Sequence, residues 1–133
     1  MGAPGTNGVH TADNAVPPLD DDFEGALADC RGIHPGIDLI LDGVRHIALD
    51  RLTTDQTQSI LSTIAGTGGA DLAEVFAQLV RRLTDPTQNP CLRALDHDVQ
   101  KQVQAYGEQY AYETGEYTPR DRTSEAAALI DGI

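Results

Sequence analysis

Residues 64–75 read IAGTGGADLAEV, three glycines set directly ahead of an amphipathic run. A phosphate-binding loop and a plain connector between two helices both have this shape, and the fold turns on which it is. An anion site at a helix start needs free backbone N–H groups and a cation close by. A P-loop would place Lys and then Ser or Thr after its last glycine. Here Ala70 and Asp71 follow instead, and the next base is Arg81, about three turns further on. Asp71 with Glu74 three residues later has the form of a capping box, so the aspartate is expected to occupy the N–H groups a phosphate would need. Gly66 is expected to close the preceding helix in the left-handed conformation. A DNA-reading helix-turn-helix fits no better, because its second helix would lead with Asp71 and Glu74 where base edges call for Arg, Asn or Gln. The segment reads as the turn of a helical hairpin, with helices over about 54–65 and 71–84.

From that hairpin the all-α reading extends both ways. Asp20-Asp-Asp22 opens a short helix whose positive end the carboxylates favour, with Phe23, Leu27 and Cys30 on one face and Gly32 at its close. Pro35 suits a first turn, and Ile37, Ile40, Leu41, Val44, Ile47, Ala48 and Leu52 recur at helical spacing over about 35–51. In the second arm Leu72, Val75, Phe76, Leu79, Val80 and Leu83 form the cleanest stripe in the chain. Asn89-Pro90 reads as a cap and first-turn proline of a long helix to about residue 114. Ser124 or Thr123 is expected to cap a last short helix bearing Leu129 and Ile130. No segment alternates strictly, and no Asn-Gly turn joins two strand-like runs. The expected fold is a small single-domain bundle of four to five helices over residues 20–133. Its features are a central antiparallel hairpin and a long C-terminal helix covering it, behind a disordered leader over 1–19.

The expected core is Leu27, Ile40, Leu41, Val44, Ile47, Ile60, Leu61, Ile64, Leu72, Val75, Phe76, Leu79, Leu83, Leu95 and Val99. Aromatic residues are only 5 % of the 133, with no Trp, so aliphatic side chains must fill it. One echo, RLTTDQTQ at 51–58 and RLTDPTQ at 82–88, is the stop-and-start chemistry of two helix ends; two copies make no solenoid.

Charge narrows the function. The formal net charge of −12 repels nucleic acid and anionic membrane surfaces. Residues 34–84 are nearly neutral, with four Arg against six acids, and the flanks hold the acidity. There is no apolar run of membrane-spanning length and no basic region followed by an apolar stretch at the N-terminus, so a cytoplasmic protein is expected.

Candidate chemistry is thin. Asp38, Asp42, His46 and Asp50 share one face of their helix, a row that reads as solvated rather than as a metal site lacking ligands from other elements. Cys30, His34, Cys91 and His97 match no common zinc spacing. Cys30 reads as a small core residue, and without a secretion signal both thiols are expected to be reduced. His10 lies in the leader, and no histidine forms a recognisable nucleophilic motif with either cysteine. No cofactor or metal is expected.

The most suggestive feature is the end of the long helix. Tyr106, Tyr110, Tyr112 and Tyr117 fall within twelve residues, with Gln100, Gln102, Gln104 and Gln109 among them. Tyrosine buries a ring while keeping its hydroxyl wet, which suits a protein interface or the rim of the chain's own core. Tyr106, Tyr110, Tyr117, Gln102 and Gln109 are therefore the candidate interaction residues. A non-enzymatic regulatory or accessory protein is expected, acting by protein–protein contact and as a homodimer through this helix. Two alternatives remain open: an acidic mimic of DNA using Asp96, Asp98, Glu108, Glu113 and Glu116, and a metal- or small-molecule-binding helical protein.

Overall fold

The computed structural model describes residues 15–66, 69–117 and 120–131. The protein is all-α, a small helical bundle, with no strand among the described residues. The chain divides into two compact units, Met1–Thr53 and Thr54–Ile133. Of the expected leader, residues 1–14 lie outside the described residues, and residues 15–20 are non-helical.

The first unit is a helix pair, α1 (Asp21–Cys30) and α2 (Pro35–Leu49). Asp20 caps α1, its carboxylate accepting from the Phe23 N–H at 2.8 Å. Arg31 is the C-cap of α1, and the N–H of Gly32 donates to Asp38 Oδ1 at 2.9 Å, tying the turn to the first turn of α2. His34 caps α2: its Nδ1 accepts from the Gly36 N–H at 2.8 Å, ahead of Pro35 at the first position. That role has no obvious sequence signature, since histidine is not a common cap. Leu27 and Leu41 are the buried side chains of the pair.

Two ion pairs support α1 against α2. Arg31 meets Asp42 at 3.0 Å, and the Arg45 guanidinium grips both oxygens of Glu24, one arm at 3.1 Å. The hydrogen bonds from Arg45 hold the Glu24 carboxyl below its ordinary pKa. Since the folded-state value is the lower one, the pair's stabilisation is complete above the ordinary carboxylate range and disappears as pH falls through the folded value. Glu24→Gln is therefore expected to lower thermal stability at neutral pH by a small margin, as suits a solvent-exposed pair. Circular dichroism melts of variant and parent should converge in acid; a gap that persists there would assign the loss to packing.

The second unit holds α3 (Thr54–Ile64), α4 (Leu72–Leu83), a short 3-10 helix (Pro90–Ala94), α5 (His97–Tyr117) and α6 (Arg120–Asp131). Although α3 and α4 are consecutive, their main packing partners are α6 and α5 respectively. The pairing is nested, 3 with 6 outside 4 with 5. Ala65 and Ala127 are buried in the outer pair, where Thr123 Oγ1 donates to the Ala65 carbonyl at 3.3 Å. Thr123 thus ties helices together rather than capping α6, which starts three residues earlier, and Leu129 stays exposed.

The long C-terminal helix also starts later than its sequence suggests. Asn89 makes no capping bond and donates instead from Nδ2 to the Leu83 carbonyl at 2.8 Å. The 3-10 helix then ends at an extended Leu95, whose carbonyl takes the Gln100 side-chain amide at 2.7 Å. Satisfying that carbonyl with a side chain removes the need for a continuous α-helix through 95 and 96. The loop is braced by Asp85, which accepts from both the N–H and the hydroxyl of Thr87 at 2.9 and 2.8 Å. Those bonds, the hydroxyl's foremost, hold its carboxyl below the usual range.

The core differs most from expectation. Leu27 and Leu41 are buried as predicted, and Ile60 and Leu61 are half-buried. Ile40, Val44, Ile47, Ile64, Leu72, Val75, Phe76, Leu79, Leu83, Leu95 and Val99 are all exposed by more than a third of their surface. Small residues take their place: among the described residues of the second unit, Ala65, Ala77 and Ala127 are the buried side chains, with Gly66 and Gly107. Alanine and glycine let two helix axes come closer than leucine does, and the large side chains are then left outside the contact.

The glycine turn is a connector, with a different internal chemistry from that expected. Among its described residues the positive-φ glycine is Gly69, at 94°, rather than Gly66. Gly66 is needed for close approach: an added Cβ would sit 2.5 Å from the Ala70 carbonyl oxygen. Asp71 is the N-cap of α4 by position but makes no side-chain cap bond, and Glu74 accepts from Gln78 Nε2 at 2.6 Å instead of reaching back. The expected capping box does not form, because Glu74 is taken by the neighbour one turn ahead.

Candidate protein-contact face on α4 and α5

Helix α4 carries two faces at once. Ala77 is 1 % exposed, and Ala73, Val80 and Thr84 beside it are half-buried. At 100° per residue they form one narrow line, and this is the side that meets α5. Opposite it, Gly107 is buried in α5 between half-buried Val103, Gln104 and Ala111. The contact is tightest at Thr84, where a Cβ added to Gly107 would lie 2.7 Å from Thr84 Cβ. Thr84 cannot swing aside cheaply, since its Oγ1 donates to the Val80 carbonyl at 2.8 Å.

The stripe Leu72, Val75, Phe76, Leu79 and Leu83 is centred about 110° around α4 from that line. It is partly open to solvent along its whole length: Val75 is 59 % exposed, Leu83 51 %, Leu79 45 %, Leu72 42 % and Phe76 39 %. Helical geometry also says which side of α5 flanks it. Glu108 lines a polar cleft with Gln78, Arg81, Arg82, Asp85 and Gln88, on the flank of α4 away from the stripe. Tyr106, two residues before Glu108, therefore projects to the stripe's own side of the helix pair, and Tyr110 one turn later joins it. Tyr106 is 77 % exposed and Tyr110 45 %. The result is one apolar and aromatic face, two helices wide.

The sequence-predicted residues divide across this geometry. Tyr106 and Tyr110 lie on the face. Tyr117 ends α5, and its side chain lies outside the described residues. Gln102 and Gln109 are exposed, and Gln109 Nε2 donates to Glu113 Oε2 at 2.7 Å. Tyr112 is exposed on a different side of α5. What sequence reasoning missed is the larger half of the face, the α4 stripe it assigned to the core. The available signal was the pair of small residues four apart on each helix, Ala73 with Ala77 and Gly107 with Ala111.

Other candidates are dispersed or occupied. Asp38 accepts from Gly32, Asp42 pairs with Arg31, and Asp50 accepts from the Arg51 N–H. No group of three or more potential metal ligands comes together among the described residues. Cys30 and Cys91 are free thiols, and both are exposed, so Cys30 is not the core residue its helical position suggested. Of the acids considered for DNA mimicry, Asp98 and Glu116 share one line of α5 while Glu108 and Glu113 fall to either side. No helix of the described residues is long and apolar enough to cross a membrane. Compared with known protein families, curated proteins and solved structures, the chain matches none.

Proposed function

We propose that this is a non-enzymatic regulatory or accessory protein of the cytoplasm, acting by protein–protein contact through the α4–α5 face. The observation that carries the reading is the partly exposed row Leu72, Val75, Phe76, Leu79 and Leu83 beside Tyr106 and Tyr110. Isolated exposed apolar residues are ordinary, but a contiguous set on one helix face marks an interaction surface. Tyrosine at its edge adds contact area at little conformational cost.

The test is a comparison of baits in extract of the source cells. Wild type should retain a binding protein that Leu79→Ser and Tyr106→Ala each release by tenfold or more, with circular dichroism spectra unchanged. Equal recovery by all three baits would remove the face from the reading, and loss of helicity in Tyr106→Ala would return that tyrosine to the core.

A further inference from the structure

We propose that His34 makes the α1–α2 unit sensitive to pH: its neutral ring holds the start of α2, and proton uptake at the ring releases it. The imidazole Nδ1 accepts from the Gly36 N–H at 2.8 Å, which fixes the proton of the neutral ring on Nε2. The usual caps, Asn, Asp, Ser and Thr, keep an accepting oxygen throughout the neutral pH range. An imidazolium carries a donor on both nitrogens and has no lone pair left to accept. Protonation therefore abolishes the bond outright. It also sets a cation at the positive end of a helix, where the dipole opposes it. The ring is exposed, so solvent protons reach it. What the cap secures is the first turn of α2, closed by the Asp38 N–H on the His34 carbonyl at 3.0 Å. The switch belongs to the first unit and holds whether or not the α4–α5 face takes a partner.

The surrounding charges do not replace the cap. On α2, Asp38 accepts from the Gly32 N–H at 2.9 Å, and Asp42 pairs at 3.0 Å with Arg31 of the turn. From α1, whose last turn leads into Arg31, come Asp29 and Cys30. Neither Asp29 nor Asp38 can preserve the bond, because the proton occupies the lone pair that accepts. At the far end of α2, His46 lies in the last turn, where positive charge is favoured. Acidification thus strengthens one end of α2 while it frees the other. The release also precedes loss of the Glu24–Arg45 pair, since imidazoles ordinarily take up a proton at about pH 6.5 and carboxylates at about pH 4. As pH falls, the unit loosens in two steps, at the α1–α2 turn first and across the helix pair second. The first of them lies within the physiological range.

The experiment compares the full wild-type chain with His34→Asn, a cap that does not titrate, and His34→Ala, which has none. The substituted residue is exposed, so both variants are expected to fold, and circular dichroism checks it. Comparing variants also cancels the contribution of His46 and of every carboxylate. At about pH 8 wild type should melt with His34→Asn, and His34→Ala roughly 3–5 °C lower. At about pH 5, still above the ordinary carboxylate range, wild type should fall to the level of His34→Ala while His34→Asn keeps its lead. The local readout is the helical ¹³Cα shift of Ile37 and Asp38, which should shrink in wild type between these pH values and stay constant in His34→Asn. Wild-type shifts that do not change would overturn the proposal. So would an equal loss in His34→Asn, which would assign the response to the neighbouring carboxylates.

Discussion

Ala77→Leu should destabilise the second unit by about 3 kcal/mol or more, while Leu79→Ala in dilute protein should cost about 1 kcal/mol or less. The usual order of these two substitutions is the reverse, since deleting a buried leucine is among the costliest changes a core can suffer. Here the alanine is 1 % exposed and faces α5, whereas the leucine is 45 % exposed. Three added carbons at position 77 must push α5 away from α4, whereas the same carbons removed at 79 come from a side chain already open to solvent over nearly half its surface. Urea unfolding of the two variants decides the matter through their midpoints. Leu79→Ala proving the more damaging in dilute solution would mean that the stripe, not the alanine line, is the true packing surface.

Gly107→Ala is the second expected large effect, about 1–2 kcal/mol destabilising, or a fall of roughly 5–10 °C in Tm. Alanine is the better helix former by up to about 1 kcal/mol, so in an open position it would stabilise. The contact with Thr84 reverses the sign, because the new methyl meets Thr84 Cβ at 2.7 Å. Thr84→Ala should lift part of the penalty, because it removes the hydroxyl, the atom nearest the new methyl, although Cβ stays: the double variant is expected to be more stable than Gly107→Ala alone, despite losing the Thr84–Val80 hydrogen bond. A double-mutant cycle without coupling would show that the two residues do not meet.

Much of this fold is legible in the sequence, and the reasons differ from residue to residue. Asp20, Pro35, Gly66 and Gly69 mark helix ends because caps, prolines and tight turns act through local backbone chemistry. The starts of α5 and α6 are not legible in the same way, because Gln100 and Thr123 act through carbonyls elsewhere. The stripe on α4 is plain at once, yet periodicity reports that a helix has an apolar side, not what lies against it. When a neighbouring line of alanines can seat a glycine-bearing helix, two faces compete, and hydropathy favours the wrong one. Tyr106 and Tyr110 are readable as exposed residues for the opposite reason: their hydroxyls keep them at an edge in either arrangement.

The nested pairing has a consequence for how the second unit assembles. Helices α4 and α5 are joined by thirteen residues braced by Asp85 and Gln100, so they can meet early and at a smaller entropic cost than α3 and α6. Helices α3 and α6 stand more than fifty residues apart in the chain, and their encounter is slow until the inner hairpin has folded and shortened the path between them. Order would then be laid down from the inside outward, and lost in the opposite sequence, with the chain's last helix leaving first. The surface built on α4 and α5 would thus be the first part of the unit to form and the last to disappear.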